Sequence, residues 1–418
     1  MSSISLAWGY GCRNAGDMAI NYGFLDFLDQ SFRDSKIEII SRYAPNQPEI
    51  RETRDRLAER GYEFDLLGGP IHYNPKNQSR VEKISALSGD SLRYTSDILR
   101  LDDIDDRFGS EMASSIQDSE LLLFNGGNLI HHSPHRGFLP YVLAIMYPLV
   151  VARRNKTPYA LLPQTIFNLE GPYEPILTSV LNGAEFIWTR DDRTYEYLKQ
   201  KASISTPVHR GLDIGFVGCR QYEKSSEDSA KGNHIAVVPR FSELGDTGNI
   251  QNTDLSSVET SLKRYIQTVV DDGDSVSIVV QTNSEKEWVN NNMSFLQSTG
   301  VDIFESFDQD ELCSFYAKCD LLVTMRLHAG IFGLTQGTPT IGVYREEWGP
   351  KIPGTWEALD ISAYAKSWDE ISVNTLHDLT LSALEQRNVL RKRILENIDE
   401  RTTEMTNKLE HSMREVLD

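Results

Sequence analysis

The 418-residue chain sets 42 Lys and Arg against 61 Asp and Glu, a formal charge of -19, with 39% hydrophobic and 25% charged residues. An acidic balance of this size excludes a general nucleic-acid binder, which needs a net basic face, but leaves room for a local basic pocket around a small anion. Four scattered cysteines exclude a disulfide framework, and Cys313 and Cys319 lack the partner ligands of a zinc site.

The length points to two domains. No run reaches the roughly 18 uninterrupted apolar residues of a membrane helix, and the N-terminus shows no secretory signal. These features predict a cytoplasmic protein that is not integral to a membrane, with peripheral association left open.

Short apolar runs followed by helical patterns predict α/β architecture with largely parallel sheets. Ser3 to Trp8 reads as the first strand, Gly9 to Asp17 as a glycine-rich turn, Met18 to Ser31 as a helix and Ile37 to Ser41 as the next strand. Tyr43 to Ser115 reads as polar and irregular. "SELLLFNGG" gives a buried strand, Phe138 to Val151 a buried helix interrupted by Pro140 and Pro148, and "TPYALLPQTI" and "GAEFIWTRD" two more strands. Beyond a boundary near Thr206 to Asp213, "NHIAVVPRF", "DSVSIVVQTN", "VDIFESF", "LLVTM" and "TPTIGVY" continue the alternation. Tyr222 to Gly232 reads as a flexible loop, and Leu381 to Val416 as a charged helical segment that either packs back across the first domain or lies at the surface. The division expected is 1–205, 206–375 and a helical segment 376–418.

Ligands in open α/β sheets bind beyond the carboxyl ends of the strands, so polar residues there are the candidates. "WGYGCRNAGDMAI" is neither a dinucleotide fingerprint nor a phosphate loop. Either it is a plain turn with Asp17 capping the helix, or the turn lies beside a substrate with Asp17 as a hydrogen-bond acceptor or base. In "FNGGNLIHHSPHRG", Gly126 and Gly127 offer backbone amides to the crevice and Asn128 a partner for hydroxyls, while Pro134 argues against a metal-binding helical pair of His131 and His135. Arg190 and Arg240 each follow an apolar strand, where an ion pair and an anion contact are equally open readings. Arg193, a turn beyond Arg190, reads as solvated.

The strongest stretch is "DLLVTMRLHAGIFGLTQGTPTIGVY", where Arg326 offers a planar fork to carboxylate or phosphate. His328, at a helix start, titrates near neutrality and suits proton transfer. Lys351 is a further contact. Trp8, Tyr10, Trp348 and Trp356 either stack on sugar rings or pack in the core.

In order along the chain, "GCRNAGDMAI", "FNGGNLIH", "LLPQTI", "WTRDDRTYEYL" and "CDLLVTMRLHAGIFGLTQGTPTIGVY" with the lysine after it resemble the polysaccharide pyruvyl transferase family from about Ala7 to Gly354. The resemblance implies two Rossmann-like domains in a GT-B-like arrangement with an interdomain cleft. It also implies transfer of a pyruvyl group from phosphoenolpyruvate to sugar hydroxyls, as a ketal and without a cofactor or metal.

Carried onto this chain, it gives Arg326 and His328 the donor site and supports Arg190, Arg240 and Lys351. Asn14, Gly16 and Asp17 match the first glycine turn, and Gly126 and Gly127 the second. Met18 and Asn125 depart from the family's usual acidic residue and third glycine. The acceptor expected is a carbohydrate, free or lipid-linked; a homo-oligomer is compatible. A glycosyltransferase with a nucleotide-sugar donor, a glycan-binding protein and a structural protein are the alternatives.

Overall fold

The computed structural model describes residues 2–43, 45, 47–69, 81, 85, 88–89, 111–131, 139–201, 203–222, 232–241 and 255–418. Among the described residues thirteen strands form two sheets that are parallel throughout. The first contains β1 (Ser3–Gly9), β2 (Lys36–Ser41), β3 (Asp65–Leu67), β4 (Leu121–Phe124), β5 (Tyr159–Gln164), β6 (Ile187–Thr189) and β7 (Val208–Arg210), in the order β3-β2-β1-β4-β5-β6-β7. The second contains β8 (His234–Val238), β9 (Ser275–Val280), β10 (Asp302–Glu305), β11 (Leu321–Thr324), β12 (Thr340–Tyr344) and β13 (Ala365–Ser367), in the order β10-β9-β8-β11-β12-β13.

Helices cover both faces of such sheets, so the central strands need no polar side; β4, β5, β11 and β12 are buried at every residue. Strand order reverses direction between β1 and β4 and again between β8 and β11. Each reversal leaves a crevice beyond the strand ends, because the following helices depart to opposite faces.

Part of the stretch read as irregular is regular. A helix, Pro48–Glu59, begins with proline at its first turn and buries Ile50, Thr53 and Leu57, and β3 follows it. The strand β7 extends the first sheet a few residues past position 205. The segment after the first glycine turn is already helical from Ala15, with Asn14 as N-cap accepting from the Gly16 amide, so Asp17 lies within the first turn instead of capping it. Pro148 is accommodated inside a helix, Leu139–Asn155. The expected loop at 222–232 falls mostly outside the described residues.

The C-terminal segment forms two helices, Val373–Glu385 and Arg387–Leu417, the second of 31 residues. It leaves the second sheet's side, where Asn397 donates to the Leu359 carbonyl at 2.7 Å, and returns to the first. There Met405, Leu409 and Met413 are buried, and Arg414 donates to the Ser31 carbonyl at 2.9 Å. Ion pairs also join the halves, among them Arg60 to Asp310 at 2.7 Å and Arg193 to Glu357 at 2.9 Å. Arg193 therefore bridges the halves; solvation was the expectation from sequence.

Candidate functional site

The two reversal points face each other across a cleft, and a cavity of about 100 Å³ lies where they meet. Its wall draws on Tyr10, Asn14 and Asp17 after β1, Gly127 and Asn128 after β4, and Arg190 after β6. From the second half come Arg240 after β8, Gln281 and Thr282 after β9, Arg326 and His328 after β11, and Lys351 beyond β12. A single water needs about 10–15 Å³ on this measure, so the space accepts a ligand larger than a few waters.

On the first side, β1 ends in a bulge between Ala7 and Gly9, and Trp8 takes φ 66°, a left-handed backbone that a bulky residue rarely adopts. Its indole donates to the Ile145 carbonyl at 2.8 Å, so packing holds the turn that swings Tyr10 towards the cavity. The fully buried Asn21 accepts from the Tyr10 amide and donates to the Tyr10 carbonyl, fastening the loop from beneath. Tyr10 donates to the Gly126 carbonyl at 2.8 Å; its burial first, and the charge of Asp17 second, push its ionisation upward, so it stays a neutral phenol.

The second glycine cluster does not present free amides: Gly126 donates to the Asn125 side chain at 2.9 Å and Gly127 to the Pro163 carbonyl at 3.3 Å. The Gly16 amide is likewise engaged, by Asn14. The sequence expectation that the Gly126 and Gly127 amides serve a ligand is corrected accordingly. The Asn128 side chain differs, since both its amide atoms are buried without a hydrogen-bond partner, although it lines the cavity.

On the second side, Arg326 is the N-cap residue of the helix Leu327–Thr335, whose first turn carries no side-chain cap. Its guanidinium is anchored from behind: one terminal nitrogen pairs with the buried Glu285 and donates to Ser284 and Thr282, the last at 3.1 Å. Its Nε is buried with no partner. The fork is thus fixed by one tine, not free as a whole. Arg240 is 3% exposed and lies with its guanidinium carbon 5.1 Å from the ring centre of Trp348. Lys351, also buried, opens the helix Lys351–Ala358.

Between the sides stands a carboxylate that the sequence did not single out. Asp213 is 1% exposed; its Oδ1 accepts from the Gly215 amide at 2.8 Å, and its Oδ2 lies 2.6 Å from Arg190 and 3.6 Å from Nε2 of His328. Burial alone would raise its ionisation, but the charge of Arg190, with His328 and the Gly215 amide, outweighs that and holds it well below the usual carboxylate range. Arg190 also donates to Thr165 at 2.8 Å, so within the cavity wall it is an ion-paired group.

Two glycines of the first helix make this arrangement possible. A Cβ on Gly23 would lie 1.9 Å from the Ile214 carbonyl, and one on Gly16 would lie 2.2 Å from Nδ1 of His328. The bare backbone lets the Asp213 turn and the imidazole seat against the same helix.

Arg42, at the end of β2, also lines the cavity. The strand-end rule that singled out Arg190 and Arg240 would have found it. Arg42, Arg240 and Lys351 thus bring further cationic side chains to the cavity wall, which Asp17 also lines. Trp8, Trp348 and Trp356 are fully buried, and packing is their role in this structure. His131 is buried and stacks on Phe167 at 4.9 Å; His132, His135 and Arg136 lie outside the described residues. Among the described residues no cluster of three or more His, Cys, Asp and Glu forms a metal site, and no helix is long and apolar enough to cross a membrane.

A family model for polysaccharide pyruvyl transferase matches residues 14–347. No curated protein sequence matches. Among solved structures, Anabaena HepE in complex with UDP and glucose superposes with a TM-score of 0.60 at 9% identity, covering 99% of this chain and 100% of that one. A Rickettsia africae glycosyltransferase gives 0.60 at 11%, covering 100% and 99%. The Neisseria meningitidis UDP-GlcNAc 2-epimerase bound to UDP-GlcNAc gives 0.56 at 12%, covering 99% and 100%. At these identities the likeness speaks for the fold, two Rossmann-like sheets in a GT-B-like arrangement, as the sequence led one to expect.

Proposed function

Since the chain belongs to the polysaccharide pyruvyl transferase family and is thus a transferase, we propose that its cleft moves the pyruvyl group of phosphoenolpyruvate onto hydroxyls of a glycan or glycan precursor, closing a cyclic ketal. The observation that carries this reading is the convergence of Arg240, Arg326, Lys351 and His328 on one small cavity.

Phosphoenolpyruvate carries roughly -2.5 to -3 charges at neutral pH, counting its phosphate as about -1.5 to -2. Arg240 and Lys351 hold it electrostatically, and the anchored Arg326 offers its remaining N–H groups in a fixed plane. The uncapped first turn of the Leu327–Thr335 helix adds amide dipoles of the same sign. Arg190 contributes positive field from behind Asp213.

The reaction then needs a proton at C3. His328, as imidazolium, delivers it; C3 becomes a methyl group and C2 becomes electrophilic. The oxygen of one sugar hydroxyl bonds to C2 while Asp17 takes its proton. The bond from C2 to the phosphate oxygen breaks with its electron pair and inorganic phosphate leaves, its charge met by Arg326 and the helix amides. A second hydroxyl adds to C2, loses its proton to solvent, and closes the ring. Asn128, an unpartnered buried amide at the cavity, supplies a donor and an acceptor for acceptor hydroxyls.

Titration with phosphoenolpyruvate, UDP, GDP and inorganic phosphate tests the donor. Selective phosphoenolpyruvate binding is expected, lost in Arg326→Ala and retained, without turnover, in His328→Ala. Binding of a nucleotide with indifference to phosphoenolpyruvate would replace this reading by glycosyl transfer.

A further inference from the structure

We propose that Asp213 is the positioning residue for His328, fixing the ring through Nε2 so that Nδ1 is the nitrogen that exchanges the reacting proton. The proposal rests on the pyruvyl-transfer reading for its chemistry, but its geometry stands on separate observations. Asp213 and His328 come from opposite halves of the cleft, one from the turn after β7 and the other from the helix after β11.

The carboxylate is buried, and one of its oxygens is shared between Arg190 and the Nε2 edge of His328. Nε2 is itself buried and has no other partner. The opposite nitrogen, Nδ1, packs against the bare backbone of Gly16, where a Cβ would lie 2.2 Å from it, and the ring lines the cavity.

A carboxylate acceptor paired with Arg190 and set beside Nε2 has a definite chemical effect. Neutral imidazole carries one N–H, and the nitrogen that holds it is set by the acceptor its neighbours provide. Asp213 keeps that hydrogen on Nε2, which leaves Nδ1 as donor when the ring is charged and as acceptor when it is not. The 3.6 Å separation is longer than a hydrogen bond, and such contacts tighten when the reacting complex forms. Arg190 fixes the carboxylate in turn, so its part in the site is indirect. The halves must be correctly apposed for the pair to exist, which ties proton transfer to the closed cleft.

The test is Asp213→Asn, read in two ways. Proton-detected nitrogen NMR of histidine-labelled protein saturated with phosphoenolpyruvate, the state in which the contact tightens, assigned with His328→Asn, should show a downfield, slowly exchanging Nε2 proton in the unsubstituted protein that Asp213→Asn loses. In pyruvyl transfer from phosphoenolpyruvate, kcat should fall roughly 10²- to 10⁴-fold while KM for phosphoenolpyruvate stays within about threefold.

Absence of the proton signal from the unsubstituted protein, or a folded Asp213→Asn with undiminished kcat, would overturn the proposal. The signal in the unsubstituted protein decides even if the variant does not fold. If the unsubstituted protein transfers no pyruvyl group, the functional reading fails while the proton signal still judges the Asp213–His328 pair.

Discussion

At Gly16 one missing methyl group decides what the imidazole can do. A Cβ there would overlap Nδ1 and Cγ of His328 at 2.2 and 2.4 Å, so any side chain must push the ring off its seat. Gly16→Ala is expected to lower kcat about 10²-fold, the scale of a 1 Å misplacement of a reacting group, while phosphoenolpyruvate binding and the thermal midpoint change little. Steady-state kinetics beside a melting curve checks this; an unchanged kcat would show that the ring tolerates displacement.

The same scale explains what could be read from the sequence. Arg240, Arg326, His328 and Asn128 follow apolar strands, and the structure brings them to one cavity. Asp213 was missed because "GLDIGF" has no period and an aspartate there reads as an ordinary turn residue. Glu285 was missed because nothing in a charged helix face announces that one carboxylate turns inward towards Arg326.

Strand and helix existence was legible wherever burial was two-sided, since β4, β9, β11 and β12 are near-continuous Leu, Val and Ile. Of the four three-residue strands, β6 was legible from its apolar "FIW" run, whereas β3, β7 and β13 carry too few apolar side chains for a pattern and pair on a neighbour's ladder. The Pro48–Glu59 helix escaped because its four buried residues, one of them Glu49, sit in a highly charged segment.

Two histidines at strand positions give the elements a pH dependence. Burial first, and for His209 the charge of Lys408 second, lower the ionisation of His209 on β7 and His234 on β8. The unfolded chain therefore binds protons that these residues in the folded chain refuse, and stability rises with pH. The contribution is full above the ordinary histidine value of about 6.5 and is lost as pH falls through the lower folded values. The urea midpoint should drop from about pH 7 towards pH 5, and a His209→Gln, His234→Gln double variant should flatten that slope.

Over the whole molecule, neither half completes the site alone: Asp213 and Arg190 stand on one side of the cleft, and His328, Arg326 and Arg240 on the other. The relation between them is set by the Arg60–Asp310 and Arg193–Glu357 pairs and by the long last helix. Leu409, fully buried where that helix meets the first half, is a large contributor; Leu409→Ala should cost about 2–5 kcal/mol in chemical denaturation. Transfer activity should fall with it, because a loosened helix lets Asp213 and His328 drift apart; full activity at reduced stability would show that the ion pairs alone set the apposition.

The path of that helix bears on how such a protein diversifies. The first half cannot be exchanged between relatives as one contiguous segment, since the surface that receives Met405, Leu409 and Met413 is encoded almost two hundred residues or more upstream of them. A viable hybrid needs two crossovers, one between β7 and β8 and another within the last helix. Exchange of the first half by recombination is therefore penalised, and stepwise substitution in the loops after β1, β2 and β4, which line the cavity, is the easier route to a changed cleft.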